Sequence, residues 1–254
     1  MIRHSRYTSL KDLSIKMKHT LKNVDDYNNA IDSLVSLPLS VSGVTLMYSK
    51  EFVAPMLKYI VTLFSLCDFK NSYIKDSILL NSLWSATMDG ANTDVELVKS
   101  AMESGKPTRD TRLVSGLIEA TNYAFMNPVN EDTYIKSWKI LSKSTGETSK
   151  YRDCMVYIGN YIKIIHVTVK PEEVNSCMES LFGYLESKNS CLHDVLLKSI
   201  VAHFYVSYIH PYCRNNGVSA RLLMQAYLNN YGNSNFSKLP IMQIMGKDIK
   251  GYHK

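Results

Sequence analysis

The stretch Ser207–Leu223, SYIHPYCRNNGVSARLL, decides how this chain folds, because a polar, turn-forming centre separates two apolar periodic runs. Upstream, Val195, Leu196, Ser199, Ile200, Ala202, His203 and Val206 recur at helical spacing, and Pro211 stands two residues beyond Ile209. A helix over Leu192–Ile209 is therefore expected to stop just before His210. The following residues, CRNNG, form loops readily because Asn and Gly tolerate positive φ. Leu222, Leu223, Ala226 and Tyr227 then restart a helical period that runs from Arg221 to Tyr231. The expected layout is helix, short loop, helix N-terminus.

That layout has chemical content. The first N–H groups of a helix lack partners inside it, and with the macrodipole they attract anions. His210 at the lip of such a site would act as general base on a hydroxyl, with Arg221 and the N–H groups holding phosphate oxygens. The same residues also describe a capped helix-loop-helix with a surface histidine, and the spacing alone leaves both readings open.

The twelve residues HPYCRNNGVSAR resemble the Fic-family signature HPFx[DE]GNGRxxR in unbroken register. The resemblance places His210 at the family's catalytic base, Asn216 and Gly217 at its anion loop, and Arg221 at its second arginine. It implies a transferase that moves a nucleotide monophosphate from ATP, or another nucleoside triphosphate, to a Ser, Thr or Tyr hydroxyl of a target protein. Three positions depart from the pattern. Arg214 replaces the acid that holds magnesium in the family, Asn215 the first glycine, and Val218 the first phosphate-binding arginine. Magnesium thereby loses its protein anchor, and Arg214 either supplies phosphate-binding charge directly or fills the metal pocket of an inactive site. A catalytically impaired binding or regulatory module, and a transferase that uses a donor other than ATP, are the alternatives.

A second string, SLWSATMDGANTDVELV, lies in a region of helical pattern from Ser72 to Met102. Ser85, Asp89 and Gly90 in it resemble the inhibitory motif [ST]xxxE[GN] of many Fic proteins, with Asp in place of Glu. The resemblance implies an inhibitory helix over about residues 72–89, whose Asp89 carboxylate pairs with Arg221 where a phosphate would bind. Asp89-Gly90 also reads more simply as a helix end.

The β signal is CMVYIGNYIKIIHV, over about residues 154–167, with Val156, Tyr157 and Ile158 joined through Gly159-Asn160 to Tyr161, Ile162, Ile164 and Ile165. Preceded by Tyr151-Arg152, this hairpin resembles the family's flap. It would then dock a target protein as an added strand along Val156, Tyr157, Ile158, Ile164 and Ile165. A surface hairpin shielding the core fits the same residues. His203 shares a helix face with His210, but no third ligand completes a metal site, and it reads as a hydrogen-bonded core histidine.

The rest of the chain frames this site. With 254 residues, 45% hydrophobic, it can bury a full core. Further amphipathic helices are expected over Thr108 to Phe125, Glu131 to Leu141, Pro171 to Glu186 and the C-terminal run LPIMQIMGKDIKGYHK. The net charge of +6 comes from scattered lysines, which describe a solvated surface rather than a nucleic-acid face. Five cysteines without a CxxC pair point to a reducing cytoplasm and to no zinc. The N-terminus lacks the apolar segment of a signal peptide, and Phe52 to Cys67, broken by Lys58, is too short to span a bilayer and reads as a buried helix. Membrane is therefore not an expected partner, and a homo-oligomer stays open. The fold class expected is mainly α, a Fic-type helical bundle with one β-hairpin flap. Residues 1–70 are read as a helical extension, with a joint near Ser36 to Gly43, and residues 71–254 as the Fic-like domain.

Overall fold

The structure is a computed structural model that describes residues 34–50, 53–55, 57–58, 60, 62, 73–143, 150–159, 164–232 and 236–252. Two antiparallel strand pairs accompany the helices. They are β1 (Leu34–Val41) with β2 (Val44–Ser49), and β3 (Tyr157–Gly159) with β4 (Ile164–Val167). The helices are α1 (Tyr73–Met88), α2 (Val95–Ser104), α3 (Arg109–Phe125), α4 (Glu131–Ser142), α5 (Pro171–Glu186), α6 (Leu192–Ile209), α7 (Asn216–Tyr231), α8 (Ile241–Lys247) and α9 (Ile249–Tyr252). The fold is thus mainly α.

Helix α6 forms the spine. Val195, Leu196, Val201, Ala202, Tyr205, Val206 and Ile209 are all buried, as expected of a helix apolar on most sides and surrounded by others. Its largest interface is with α7, and the loop between them is pinned from below by Tyr212, whose ring stacks on Trp138 of α4 at 3.8 Å and 5°. Leu181 and Leu185 of α5 and Tyr227 of α7 complete this core. Lys198 caps the end of α5 by donating to the Ser187 carbonyl at 2.6 Å, so even this buried cation serves a helix terminus.

Several boundaries differ from the sequence reading. The supposed joint at Ser36 to Gly43 is a hairpin: Leu37 and Leu39 alternate inward against the core, and Ser42 and Gly43 take φ of 49° and 77° to turn the chain. The segment before residue 70 is therefore not wholly helical. Residues 1–33 and most of Phe52 to Cys67 lie outside the described residues, although Leu57 packs against Leu196, Met224 and Met242. The helical pattern from Ser72 to Met102 is two helices, because Gly90 at φ 96° closes α1 and the Asp94 side chain caps α2 through the Leu97 N–H at 2.8 Å. In the second hairpin Gly159 pairs with Ile164, so the turn does not fall at Gly159-Asn160, and residues 160–163 lie outside the described residues. Helix α7 begins at Asn216, five residues before Arg221, and the C-terminal run is two short helices rather than one.

Candidate active site

Helix α1 ends in a Schellman motif. The Ala91 N–H reaches the Ala86 carbonyl and the Gly90 N–H the Thr87 carbonyl, both at 3.0 Å, which makes Asp89 the C-cap. A carboxylate is disfavoured there, since the helix C-terminus is the negative end of the macrodipole. Arg221 offsets that conflict: its Nη2 meets Asp89 Oδ1 at 2.6 Å, with the arginine side chain 2% exposed and the aspartate 29%. Ser85, one turn earlier on the same face, accepts from Arg221 through its hydroxyl at 2.8 Å and its carbonyl at 2.9 Å. Burial alone would lower the guanidinium's affinity for its proton, but the Asp89 carboxylate and Tyr252 more than reverse this, and its pKa is raised. The shorter aspartate thus reaches the arginine directly.

Across the cleft, α6 terminates at His210, which adopts a left-handed conformation at φ 53°. Its Nδ1 lies 2.5 Å from the Ser207 carbonyl, an atom that only accepts, so Nδ1 carries the proton and Nε2 keeps its lone pair. Burial lowers the imidazole pKa to about 4, against the opposing pull of the Ser207 bond, so the ring is neutral at pH 7.

Arg152 holds this turn in place. The buried guanidinium donates to the carbonyls of His210 at 2.6 Å, Cys154 at 2.7 Å, Val169 at 2.5 Å and Ile209 at 3.2 Å, while the Arg152 N–H reaches Pro211 at 2.9 Å. One side chain thereby caps α6 and fastens it to the base of the β3–β4 hairpin. In the sequence Arg152 stands out only as part of the Tyr151-Arg152 pair before the flap, and its task is not legible there, because its partners are main-chain carbonyls, which leave no periodicity. Arg152→Met is expected to lower stability by about 3 kcal/mol or more, since it strands several buried acceptors. Chemical denaturation of the two proteins checks this.

The loop residues have separate tasks. Asn216 is buried at the cleft wall, with its Oδ1 accepting from the Tyr212 N–H at 2.9 Å and its Nδ2 donating to the Tyr212 carbonyl at 2.8 Å, so the amide shapes the loop. Asn215 occupies the left-handed region at φ 59°, a conformation asparagine tolerates where the family pattern has glycine. At Gly217 a β-carbon would lie 2.8 Å and 3.0 Å from the two Asp89 oxygens, so the carboxylate rests against the first turn of α7 and only glycine leaves it room. Val218 is fully buried among Leu117, Ala120, Leu141 and Leu222, so the departure from arginine turns this position into core. Arg214 is exposed at the cleft wall.

His210, Arg214, Gly217, Asp89 and Arg221 all line one cleft of about 870 Å³, with Val156, Tyr157 and Ile158 of the hairpin on its rim. The hairpin's outer faces are open: Tyr157 is 57% and Ile164 55% exposed, and Ile165 is half-buried. His203 also faces the cleft, rather than the core as its sequence context indicated, and bonds through Nε2 to the Tyr252 hydroxyl at 2.9 Å. That hydroxyl accepts from Arg221 Nη1 at 3.2 Å, so α9 closes the second side of the arginine. No motif marked Tyr252. Divalent metal fits these residues poorly. Among the described residues no group of three His, Cys, Asp or Glu could hold an ion, Arg214 sets a cation where the family pattern has a carboxylate, and Asp89 is engaged by Arg221.

Burial, and for His203 the nearby Arg221 charge, lowers both His203 and His210 to about 4. Between that value and the ordinary pKa near 6.5 the unfolded chain binds more protons, so stability rises with pH in this window and is lost as pH falls from about 6.5 toward 4. The two rings together are expected to contribute several kcal/mol, and thermal melts at pH 7 and 5 should show the lower midpoint at pH 5. Replacing both by glutamine should flatten that dependence.

Residues 128–228, which include α4, the hairpin and the His210 loop, match the Fic/DOC family. The chain carries a Fic-family domain. Protein adenylyltransferase Fic of Aedes aegypti is 27% identical over 171 residues, 64% of this chain and 33% of that protein. The enzyme of the same name from Nematostella vectensis is 26% identical over 173 residues, 63% of this chain and 39% of the relative. The chain thus spans little more than a third of the length of these curated relatives. In fold, a Fic family protein from Desulfovibrio desulfuricans G20 superposes with a TM-score of 0.66 at 18% identity, over 79% of this chain and 63% of that one. A Fic-domain signalling protein from Bacteroides thetaiotaomicron gives 0.55 at 16%, covering 69% and 73%. The Fic domain accounts for α4 to α7, and α1 with its Asp89 packs on it from outside the matched residues. Among the described residues no helix is long and apolar enough to cross a membrane.

Proposed function

We propose that this chain is a protein nucleotidyl transferase of the adenylyltransferase kind, held in a resting state by Asp89. The observation that carries the reading is the carboxylate of Asp89, seated on Arg221 and against Gly217 at the open N-terminus of α7, 2.6 Å from a guanidinium suited to a phosphate. In the working site Asp89 swings away and a nucleoside triphosphate takes its place, its phosphates on the α7 N–H groups, Arg221 and Arg214. His210 Nε2 accepts the proton of a Ser, Thr or Tyr hydroxyl, that oxygen bonds to the α-phosphorus, and pyrophosphate leaves with the bridging electrons. A target segment added along Tyr157 or Ile164 would bring its hydroxyl to the histidine. Arg214 takes over part of the charge that magnesium neutralises in the family, so the donor reaction proceeds without added metal.

A second reading, a catalytically impaired module that binds nucleotide or a partner without turnover, is favoured by Val218, whose burial in the core removes one phosphate contact. Intact-mass measurement of Asp89→Gly protein incubated with each of the four nucleoside triphosphates, with and without magnesium, separates the two. A gain of one nucleotide monophosphate supports the transferase and names its donor. Nucleotide-dependent thermal stabilisation without any mass gain supports the module, and neither response overturns both.

A further inference from the structure

Two cysteines meet beside the His210 loop. Cys154, just before the hairpin, and Cys213, within the loop, are 59 residues apart in sequence, yet their sulfurs lie 3.4 Å apart and both side chains are exposed. The frame around them is rigid. Two residues before each cysteine, the Arg152 N–H bonds the Pro211 carbonyl at 2.9 Å, and the Arg152 guanidinium donates to the carbonyls of both Cys154 and His210. The backbone pairing that a cross-link needs is thus already made by other groups. Going from 3.4 Å to a bond of about 2.05 Å asks for a shift of little more than 1 Å, within reach of side-chain rotation.

We infer that Cys154 and Cys213 form an oxidisable dithiol site, converted by hydrogen peroxide into a disulfide that staples the His210 loop to the base of the hairpin. One sulfur attacks the peroxide, the O–O bond breaks, and a sulfenic acid and water result. The second thiol then attacks that sulfur, the S–O bond breaks, the S–S bond forms and a second water leaves. Peroxide is reduced to two waters as both cysteines are oxidised. Among the described residues the other cysteines lack such an arrangement: Cys177 is buried, and exposed Cys191 has the His193 ring as a sulfur contact at 4.0 Å.

The disulfide closes a long loop of the folded chain and adds to its stability by restricting the unfolded one. It also fixes the spacing between His210 and the hairpin rim, which on the transferase reading sets where a docked hydroxyl arrives. The test does not depend on that reading. Full-length protein is treated with hydrogen peroxide, blocked with an alkylating reagent, digested without reductant and mapped by mass. The expected result is one intramolecular cross-link between the peptides holding Cys154 and Cys213, with a loss of about 2 Da and a thermal midpoint raised by roughly 5 to 10 °C, all reversed by dithiothreitol. Cys191→Ser should leave the cross-link intact, and Cys213→Ser should abolish it while keeping the unoxidised midpoint. Equal alkylation of Cys154, Cys213 and Cys191 after peroxide, or oxidation of Cys213 alone past the disulfide, would overturn the inference. If the cross-link forms but nucleotide transfer is absent in every form, the transferase reading fails and the dithiol site stands.

Discussion

Asp89→Gly is expected to raise affinity for nucleoside triphosphate by about 10- to 100-fold and to lower the protein's own stability at the same time. Both effects come from one contact. In the resting protein a donor must first displace a carboxylate that meets Arg221 at 2.6 Å, and an internal competitor worth roughly 1 to 3 kcal/mol reduces apparent affinity by that ratio. Removing it leaves the buried guanidinium with the Ser85 and Tyr252 bonds but no anion, at a cost of roughly 1 to 2 kcal/mol after relief of the carboxylate's conflict with the helix dipole. For a chain of this size that is a drop of several degrees in thermal midpoint. Saturating nucleotide should restore the lost degrees in the variant and do far less for the parent. Calorimetric titration and thermal melts of the two proteins measure both halves. A variant that melts lower and binds nucleotide no better would make Asp89 a purely structural helix end.

His210→Ala in the Asp89→Gly background is expected to reduce transfer by about 100- to 10,000-fold while leaving nucleotide affinity unchanged. The geometry argues for this separation. The imidazole is held by the Ser207 carbonyl at Nδ1, which leaves Nε2 as the proton acceptor, and on the transferase reading the donor's phosphates rest on other residues. Rates from single-turnover mass measurement, set beside affinities from titration, check it. Equal loss of rate and affinity would mean that the histidine holds the donor rather than the target's proton. Full loss of both, with an altered melt, would mean that the α6 terminus has collapsed.

Much of the site was legible in the chain itself. Pro211 after a helical run placed the end of α6 at Ile209, and the resemblance to the inhibitory motif singled out Ser85 and Asp89, each of which touches Arg221. Local signals of that kind survive because they depend on a few neighbouring residues. The first hairpin escaped notice because Leu37 and Leu39 are only two inward positions, and Pro38 between them weakens the strand signal. A task of Asn216 inside the loop was not legible either. Its type fits an anion loop, but the short path back to Tyr212 satisfies both ends of the amide within the loop.

Sequence alone determined the helical class and the end of α6 at Ile209, and it singled out His210, Arg221 and Asp89 as candidates by side-chain type. Those follow from side-chain chemistry and from the period of apolar residues, both local properties. Tertiary structure decided that Asp89 lies on Arg221, that Arg152 grips the His210 turn, that Tyr252 closes over the arginine, and that Cys154 meets Cys213. Each of these joins residues far apart in the chain through a bond of 2 to 4 Å. Such contacts exist only once the packed core has set the distances, and no periodicity along the chain encodes them.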